Sequence, residues 1–220
     1  LYISGPHYPV LKLNLDKILH CATFYAAIKM KLGKDLSKDM NFFDDIFARE
    51  EKTTFEKAYA LANDAHKFQL RDEGSPYITH IDGIIEILKN ELKIRGDMVL
   101  TVAALHDVLE DCDKYSYDNI KEYFGEDIAN AVNLLTKSDG QDVGEYLKRI
   151  DDSEYSSWLM IVKLADRLHN LRYLKSTNNK DKIQRKSFET RKYFMDYAKR
   201  YNEYLYNQIN KELEKLEIGD

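Results

Sequence analysis

The sequence predicts an all-α protein. Chain-breaking residues are scarce, with 3 prolines and 9 glycines among 220 residues, too few to punctuate a fold built of many short strands. Apolar residues recur at intervals of three and four along most of the chain, the period of a helix packed on one face. No apolar run reaches the ~18–20 residues needed to span a bilayer, so none of the helices reads as a membrane span.

Taken in order, residues 1–10 hold Pro6 and Pro9 and read as an extended arm. Leu13, Leu15, Ile18, Leu19, Ala22, Tyr25, Ala26 and Met30 predict a helix over 11–32, with Gly33 as its stop. His20 inside it reads as a packed or partly exposed side chain rather than a ligand. Residues 34–50, with Phe42, Phe43, Ile46 and Phe47, read as a linker and a short helix. The expected division is an N-terminal arm and helical extension over 1–50 and a main domain over 51–220.

The main domain opens with a helix capped by Thr54, with Phe55, Ala58, Tyr59, Ala62, Ala65 and His66 on one face. Gly74 and Pro76 make 69–77 a loop. Thr79 is the expected cap of a helix running from His80 through Ile81, Ile84, Ile85, Leu88 and Leu92. A strongly apolar helix follows over about 97–111, then a polar loop over 112–118. Ile120, Tyr123 and Phe124 mark a short helix closed by Gly125, and Ile128, Ala131, Val132 and Leu135 mark another that ends at Thr136-Lys137. After a loop at 138–143 and a charged helix at about 144–151 comes a long helix at 154–175. A turn at Thr177-Asn178-Asn179 leads to a last helix over 181–216, with Phe188, Phe194, Met195, Ala198, Tyr201, Leu205, Ile209 and Leu213 as its apolar positions.

Composition excludes some functions. The net charge is −5 with both signs interspersed, so nothing favours nucleic acid or a membrane surface in general. The patch Lys180, Lys182, Arg185, Lys186 is interleaved with a single aromatic residue and is weak support for nucleic-acid binding. Cys21 and Cys112 make no disulfide framework, which points to a reducing cytoplasm. The start, Leu1 to Pro6, lacks the basic region of a secretory signal.

Two helices carry chemistry. Ala103-Ala104-Leu105-His106-Asp107-Val108-Leu109-Glu110-Asp111 ends an apolar run in one imidazole and three carboxylates. Burying such groups without partners is costly, and acidic residues at a helix C-terminus oppose the macrodipole. A divalent cation would repay both. On a continuous helix His106 shares a face with Glu110, and Asp107 with Asp111. The long helix carries Asp166, His169, Asn170 and Tyr173 as one polar stripe on an otherwise apolar surface, which must meet a polar cavity, a metal or a second polar stripe, unless it is a solvated edge. Arg167 and Arg172 point away from that stripe. His80, on the first turn after a loop, reads by itself as a surface or capping residue. Together His80, His106, Asp107 and Asp166 form a mixed imidazole–carboxylate set suited to Mn²⁺, Fe²⁺ or Zn²⁺.

These segments resemble the HD-domain phosphohydrolases, and within them the alarmone hydrolase domains of the Rel/Spo family. The matching stretches are Ala65-His66, Gly74-Ser75-Pro76-Tyr77-Ile78-Thr79-His80, Ala103 to Asp111, Phe124-Gly125, Leu135-Thr136-Lys137 and Lys163-Leu164-Ala165-Asp166-Arg167-Leu168-His169-Asn170-Leu171-Arg172, in the family's order. The resemblance covers about residues 54–200. It implies an HD-domain helical bundle and a Mn²⁺-dependent enzyme that removes the 3′-pyrophosphate of guanosine tetra- or pentaphosphate. It implies His80, His106, Asp107 and Asp166 as metal ligands. Glu110 and Asp111 match the acidic pair that activates water. Asn170 matches a residue near the ribose and 3′-phosphate, and Arg71 the first basic residue of the nucleobase loop. Lys137, Arg167 and Lys163 are candidate cations for the leaving pyrophosphate, Lys137 foremost because it ends a helix at a loop.

The chain departs from the family in the nucleobase loop. A Lys and a Ser give way to Asp72 and Glu73, which reverses the charge where the base would bind. Ile81 stands where Pro is usual, and Tyr173 replaces a small hydroxyl residue beside the nucleotide. No synthetase domain follows, so the expectation is a small stand-alone hydrolase. Two alternatives stand beside it: a related hydrolase of another nucleotide (an adenosine alarmone, NADPH or a pyrophosphorylated RNA end), and a non-catalytic helical binding module. A protein partner or a second copy through residues 1–50 belongs to the same set of expectations.

Overall fold

The computed structural model describes residues 52–217. The predicted arm, the 11–32 helix with His20, the 34–50 segment and Cys21 lie outside the described residues. Among the described residues every regular element is helical, and strand pairing is limited to one isolated bridge between Leu70 and Pro76.

Helix α1 spans Thr54–Ala65 and is capped by Thr53. The cap is one residue earlier than expected because Glu56, three residues on, closes a capping box with Thr53, returning a bond from its side chain to the Thr53 backbone N–H. Helix α2 spans Ile78–Glu86 and runs on into a π turn at Ile87–Glu91. Thr79 does not cap it: its hydroxyl donates to the Pro76 carbonyl (2.7 Å) from inside the first turn. The intervening loop is a tight turn, with the Arg71 N–H bonded to Ser75 O (2.9 Å) and Gly74 at φ +89°, a conformation glycine adopts without steric cost.

The predicted 97–111 helix is two helices, α3 (Asp97–Leu105) and α4 (Val108–Asp111). The break falls on His106-Asp107. His106 Nδ1 takes the Ala103 carbonyl (2.9 Å), the acceptor that the Asp107 N–H would use in a continuing helix. Glu110 and Asp111 therefore sit on a separate helix of a single turn rather than at the end of a long one.

Helices α5 (Tyr117–Phe124) and α6 (Glu126–Leu135) meet at Gly125, whose φ of +91° makes the corner. Helix α7 covers Val143–Asp151, and α8, Ser156–Leu174, is the central helix. It packs against α2, α3, α6 and α7, and against the C-terminal helices. Ala165, Leu168, Leu164 and Val162 are buried on it, which accounts for the nearly all-round apolar pattern of its sequence.

The predicted 181–216 helix is broken as well. Helix α9 covers Lys180–Glu189, a π turn follows at Thr190–Phe194, and then come α10 (Met195–Tyr201) and α11 (Glu203–Glu217). Asn202 is extended, and its side chain caps α11 by accepting from the Leu205 N–H (3.0 Å). An Asn side chain competing for backbone donors is a sufficient cause of the break.

Candidate metal centre and active site

Three helices deliver four polar side chains to one buried point. His80 comes from the first turn of α2, His106 and Asp107 from the break between α3 and α4, and Asp166 from the middle of α8. His80, His106 and Asp166 are at most 5% exposed. Their ligand atoms all lie within 4.8 Å of one another. Asp107 Oδ2 lies 2.8 Å from His106 Nε2 and 3.8 Å from His80 Nε2, and Asp166 Oδ1 lies 3.2 Å from His80 Nε2.

One atom tests whether this set fits a cation. His106 Nδ1 faces only the Ala103 carbonyl, so it must donate, and the neutral ring then carries a lone pair on Nε2. That nitrogen is buried and makes no hydrogen bond, although Asp107 Oδ2 is 2.8 Å away. A lone pair facing a carboxylate oxygen at that distance is repulsive unless positive charge sits between or beside them. The neighbouring carboxylates likewise make this a point that favours positive charge, whether a proton or a cation supplies it. Burial pulls the His106 imidazole down, but Asp107 and Asp166 outweigh it and hold the ring above its usual value. Burial pushes the Asp107 carboxyl up, and His106 and His80 more than reverse this. His80 is driven down, mainly by burial against the pull of Asp166, and a neutral imidazole is the form that binds a metal. Two imidazoles and a carboxylate, with a second carboxylate beside them, suit a divalent cation.

The carboxylates are oriented by neighbours. Tyr77 donates its hydroxyl to Asp107 Oδ2 in a short bond. Asn170 donates to Asp166 Oδ1 (2.6 Å), and Lys163 pairs with Asp166 Oδ2 (2.8 Å). Burial alone would lower the Lys163 pKa, but Asp166, Tyr146 and Asp107 raise it. Glu110 accepts from the Lys137 N–H (2.9 Å), and burial lifts its pKa above the usual carboxylate range, with Asp107 and Asp111 adding to the effect. Asp111 accepts from Gln69 Nε2 (2.8 Å).

Over this floor opens a polar cavity of about 480 Å³. Arg71, His80, Asp107, Glu110, Asp111, Lys137, Lys163, Asp166, Asn170 and Tyr173 line it, while His106 and His169 do not. Of the polar stripe of α8, Asp166, Asn170 and Tyr173 face the cavity, Asn170 and Tyr173 at its exposed mouth, and His169 is buried behind it. Arg167 also lines the cavity, yet its guanidinium pairs with Glu189 (2.7 Å) and lies over the Phe194 ring. Arg172 points away and binds Glu91 through both guanidinium nitrogens.

The loop carboxylates are already matched. Glu73 accepts from Arg71 Nε (2.8 Å) and Ser75 Oγ (2.9 Å), and Asp72 pairs with Lys182 of α9. The charge reversal read from the sequence is thus neutralised within the protein. Sequence reasoning missed Tyr77, Gln69 and the wall formed by α9. Lys182 and Lys186, four residues apart on that helix, line the cavity, and their spacing was the signal. Tyr77 stood three residues before His80, within a segment already quoted.

Residues 58–156 match the HD domain family model. The chain is 35% identical over 168 residues to the bifunctional (p)ppGpp synthase/hydrolase SpoT of Escherichia coli K12, which covers 73% of this chain and 23% of that protein. It is 34% identical over 164 residues to the guanosine-3′,5′-bis(diphosphate) 3′-pyrophosphohydrolase of Haemophilus influenzae, covering 71% and 23%. The chain thus spans about a quarter of the length of these curated relatives. Among solved structures it resembles a metazoan ortholog of SpoT that hydrolyzes ppGpp and plays a role in starvation responses, with a TM-score of 0.65 and 25% identity over 74% of this chain and 96% of that one. The chain thus matches the HD domain over residues 58–156 and is similar to SpoT-type (p)ppGpp hydrolases over about three quarters of its length.

Proposed function

We propose that the protein is a divalent-metal-dependent phosphohydrolase that removes the 3′-pyrophosphate of guanosine tetra- or pentaphosphate, giving GDP or GTP and pyrophosphate. The observation that carries this reading is the convergence of His80, His106 and Asp166 within 4.8 Å of one another, with Asp107 Oδ2 2.8 Å from His106 Nε2, at the floor of a polar cavity. The names of the relatives and the solved neighbour support it. Mn²⁺ is the metal proposed, with Fe²⁺ or Zn²⁺ as substitutes suited to the same donors.

Held by His80, His106, Asp107 and Asp166, the cation would withdraw electron density from the 3′-phosphate and make a nearby water more acidic. Glu110, with its raised pKa, accepts the proton of the attacking water, and Asp111 supports it from the same turn. The water oxygen joins the phosphorus attached to ribose O3′. The O3′–P bond breaks, O3′ leaves as the 3′-hydroxyl of GDP or GTP by taking up the proton passed on from Glu110, directly or through water, and the attacked phosphorus departs with the water oxygen as pyrophosphate. Lys137, beside Glu110 in the cavity wall, meets the charge on the pyrophosphate. Arg71, whose guanidinium lies 5.5 Å from the centre of the Tyr173 ring and 3.5 Å from Asn170 Oδ1, forms the nucleoside end of the cavity together with those two residues. A cytoplasmic setting and a small nucleotide substrate go with this reading, and a protein partner through residues 1–50 is a separate proposal.

The test is product analysis. Purified protein with Mn²⁺ and guanosine tetraphosphate is expected to yield GDP and pyrophosphate in equal amounts. Metal bound without turnover would end the proposal. A second reading, a related hydrolase of another phosphorylated nucleotide, is favoured by Asp72 and Glu73 in the loop. An adenosine alarmone and NADPH in the same assay discriminate between the two.

A further inference from the structure

We infer that His169 is a positioning residue for the metal centre: it selects which nitrogen of His80 carries the hydrogen, and position 83 is glycine to admit its ring. The inference rests on the metal reading above. His169 is buried one turn along α8 from Asp166, and its Nδ1 lies 2.8 Å from Nδ1 of His80. Two such nitrogens attract only when one holds the hydrogen and the other the lone pair. His80 Nε2 faces the carboxylates of Asp166 and Asp107. To ligate a cation there it must carry a lone pair, so the hydrogen belongs on His80 Nδ1 and is donated to His169 Nδ1. His169 then keeps its own hydrogen on Nε2. The opposite arrangement places a hydrogen on His80 Nε2, where the cation would sit.

His169 can do this only if its ring is held in place, and the structure holds it from two sides. The Tyr173 ring lies 4.6 Å away, centroid to centroid, at 31°. On the α2 side the ring lies against Gly83: a Cβ added there would fall 2.0 Å from both Cδ2 and Nε2 of His169. No side chain fits unless the imidazole moves. A glycine inside α2, where propensity disfavours it, is accounted for by this close approach.

The test uses Zn²⁺, a diamagnetic probe suited to the same donors. Wild-type protein, His169→Phe, His169→Asn and Gly83→Ala are titrated calorimetrically with Zn²⁺ after thermal unfolding has shown each to be folded without metal. His169→Phe keeps a ring but loses the acceptor and is expected to bind about 10–100-fold more weakly. His169→Asn returns an acceptor near the Nδ1 position and is expected to restore affinity to within a few-fold. Gly83→Ala is expected to weaken binding through the displaced ring. In the Zn²⁺-loaded wild type, long-range ¹⁵N–¹H NMR is expected to find the His169 hydrogen on Nε2. Wild-type affinity in His169→Phe, or the hydrogen on His169 Nδ1, overturns the inference while leaving the metal reading intact. Failure of the wild type to bind Zn²⁺ overturns that reading and this inference with it.

Discussion

The cavity has a floor and a rim, and they are built on opposite principles. On the floor, His80, His106 and Asp166 are nearly inaccessible, and each is held by a second protein group: His169, the Ala103 carbonyl, and the pair Asn170 and Lys163. At the rim, Asp72 and Lys182 are 53% and 31% exposed and hold only each other, joining the loop to α9. Buried polar groups that lose a partner are left with an unmet desolvation cost, whereas exposed pairs exchange protein for water at little net cost. The floor is therefore intolerant of change and sets the chemistry. The rim tolerates change, and on the proposed function it is the part that would select the nucleotide.

The largest effects belong to the floor. His106→Ala is expected to abolish both metal binding, read by calorimetry, and hydrolysis. Glu110→Gln is expected to retain the metal while kcat falls about 10²–10⁴-fold, the usual contribution of a general base. The same residue is expected to set the pH dependence. A base must be deprotonated to act, and the Glu110 carboxyl is held above its usual range by burial. Activity should thus fall on acidification at a pH above the ordinary glutamate value of about 4.3, and that limb should vanish in Glu110→Gln. Turnover in Glu110→Gln within a few-fold of wild type would move the base role to Asp111.

The same contrast explains what the sequence revealed. Buried polar residues stood out because they interrupt apolar helices: His106 to Asp111 after Ala103-Ala104-Leu105, and Asp166 with Asn170 inside α8. An all-α fold was legible from periodicity and few breakers. The break at His106-Asp107 was not, since it depends on a side chain taking the Ala103 carbonyl. Nor was the break at Asn202, because one Asn in a helical pattern carries no positional rule. At the rim, Asp72 and Glu73 read as a charge reversal because Lys182 is 110 residues away from Asp72 in sequence. His169 was noticed only as part of a stripe. Its contact with Gly83 requires the packing of α2 on α8, which no local pattern encodes.

Substitutions at the rim are expected to change recognition and leave the chemical step alone. Asp72→Asn frees Lys182 to face the cavity. Exposed pairs contribute about 0–1 kcal/mol, so KM for guanosine tetraphosphate should fall by up to about fivefold with kcat unchanged. Glu73→Gln should act in the opposite direction, because Arg71 loses the carboxylate that orients its Nε. Steady-state kinetics with both variants checks this. A loss in kcat comparable to that of Glu110→Gln would erase the distinction between floor and rim.

The smallest effect is expected where α8 leaves the site altogether. Arg172, two residues beyond Asn170, binds both carboxylate oxygens of Glu91 at 2.6 and 2.9 Å, and Tyr204 donates to the same carboxylate. This pair ties the central helix, which carries Asp166, to the π turn that continues α2, the helix of His80. Arg172 and Tyr204 hold the Glu91 pKa below its usual value against the upward push of burial. Its stabilising effect is therefore complete above the unfolded-state pKa and is lost as pH falls through the folded-state one. Glu91→Gln should lower stability at neutral pH by about 1 kcal/mol, a shift in Tm of about 2–4 °C for a domain of this size. The difference should close in acid, and Zn²⁺ affinity should stay at the wild-type value. If that affinity instead dropped as far as in His169→Phe, the geometry of the floor would depend on how α8 is anchored at a distance, and not on the groups in direct contact with its ligands.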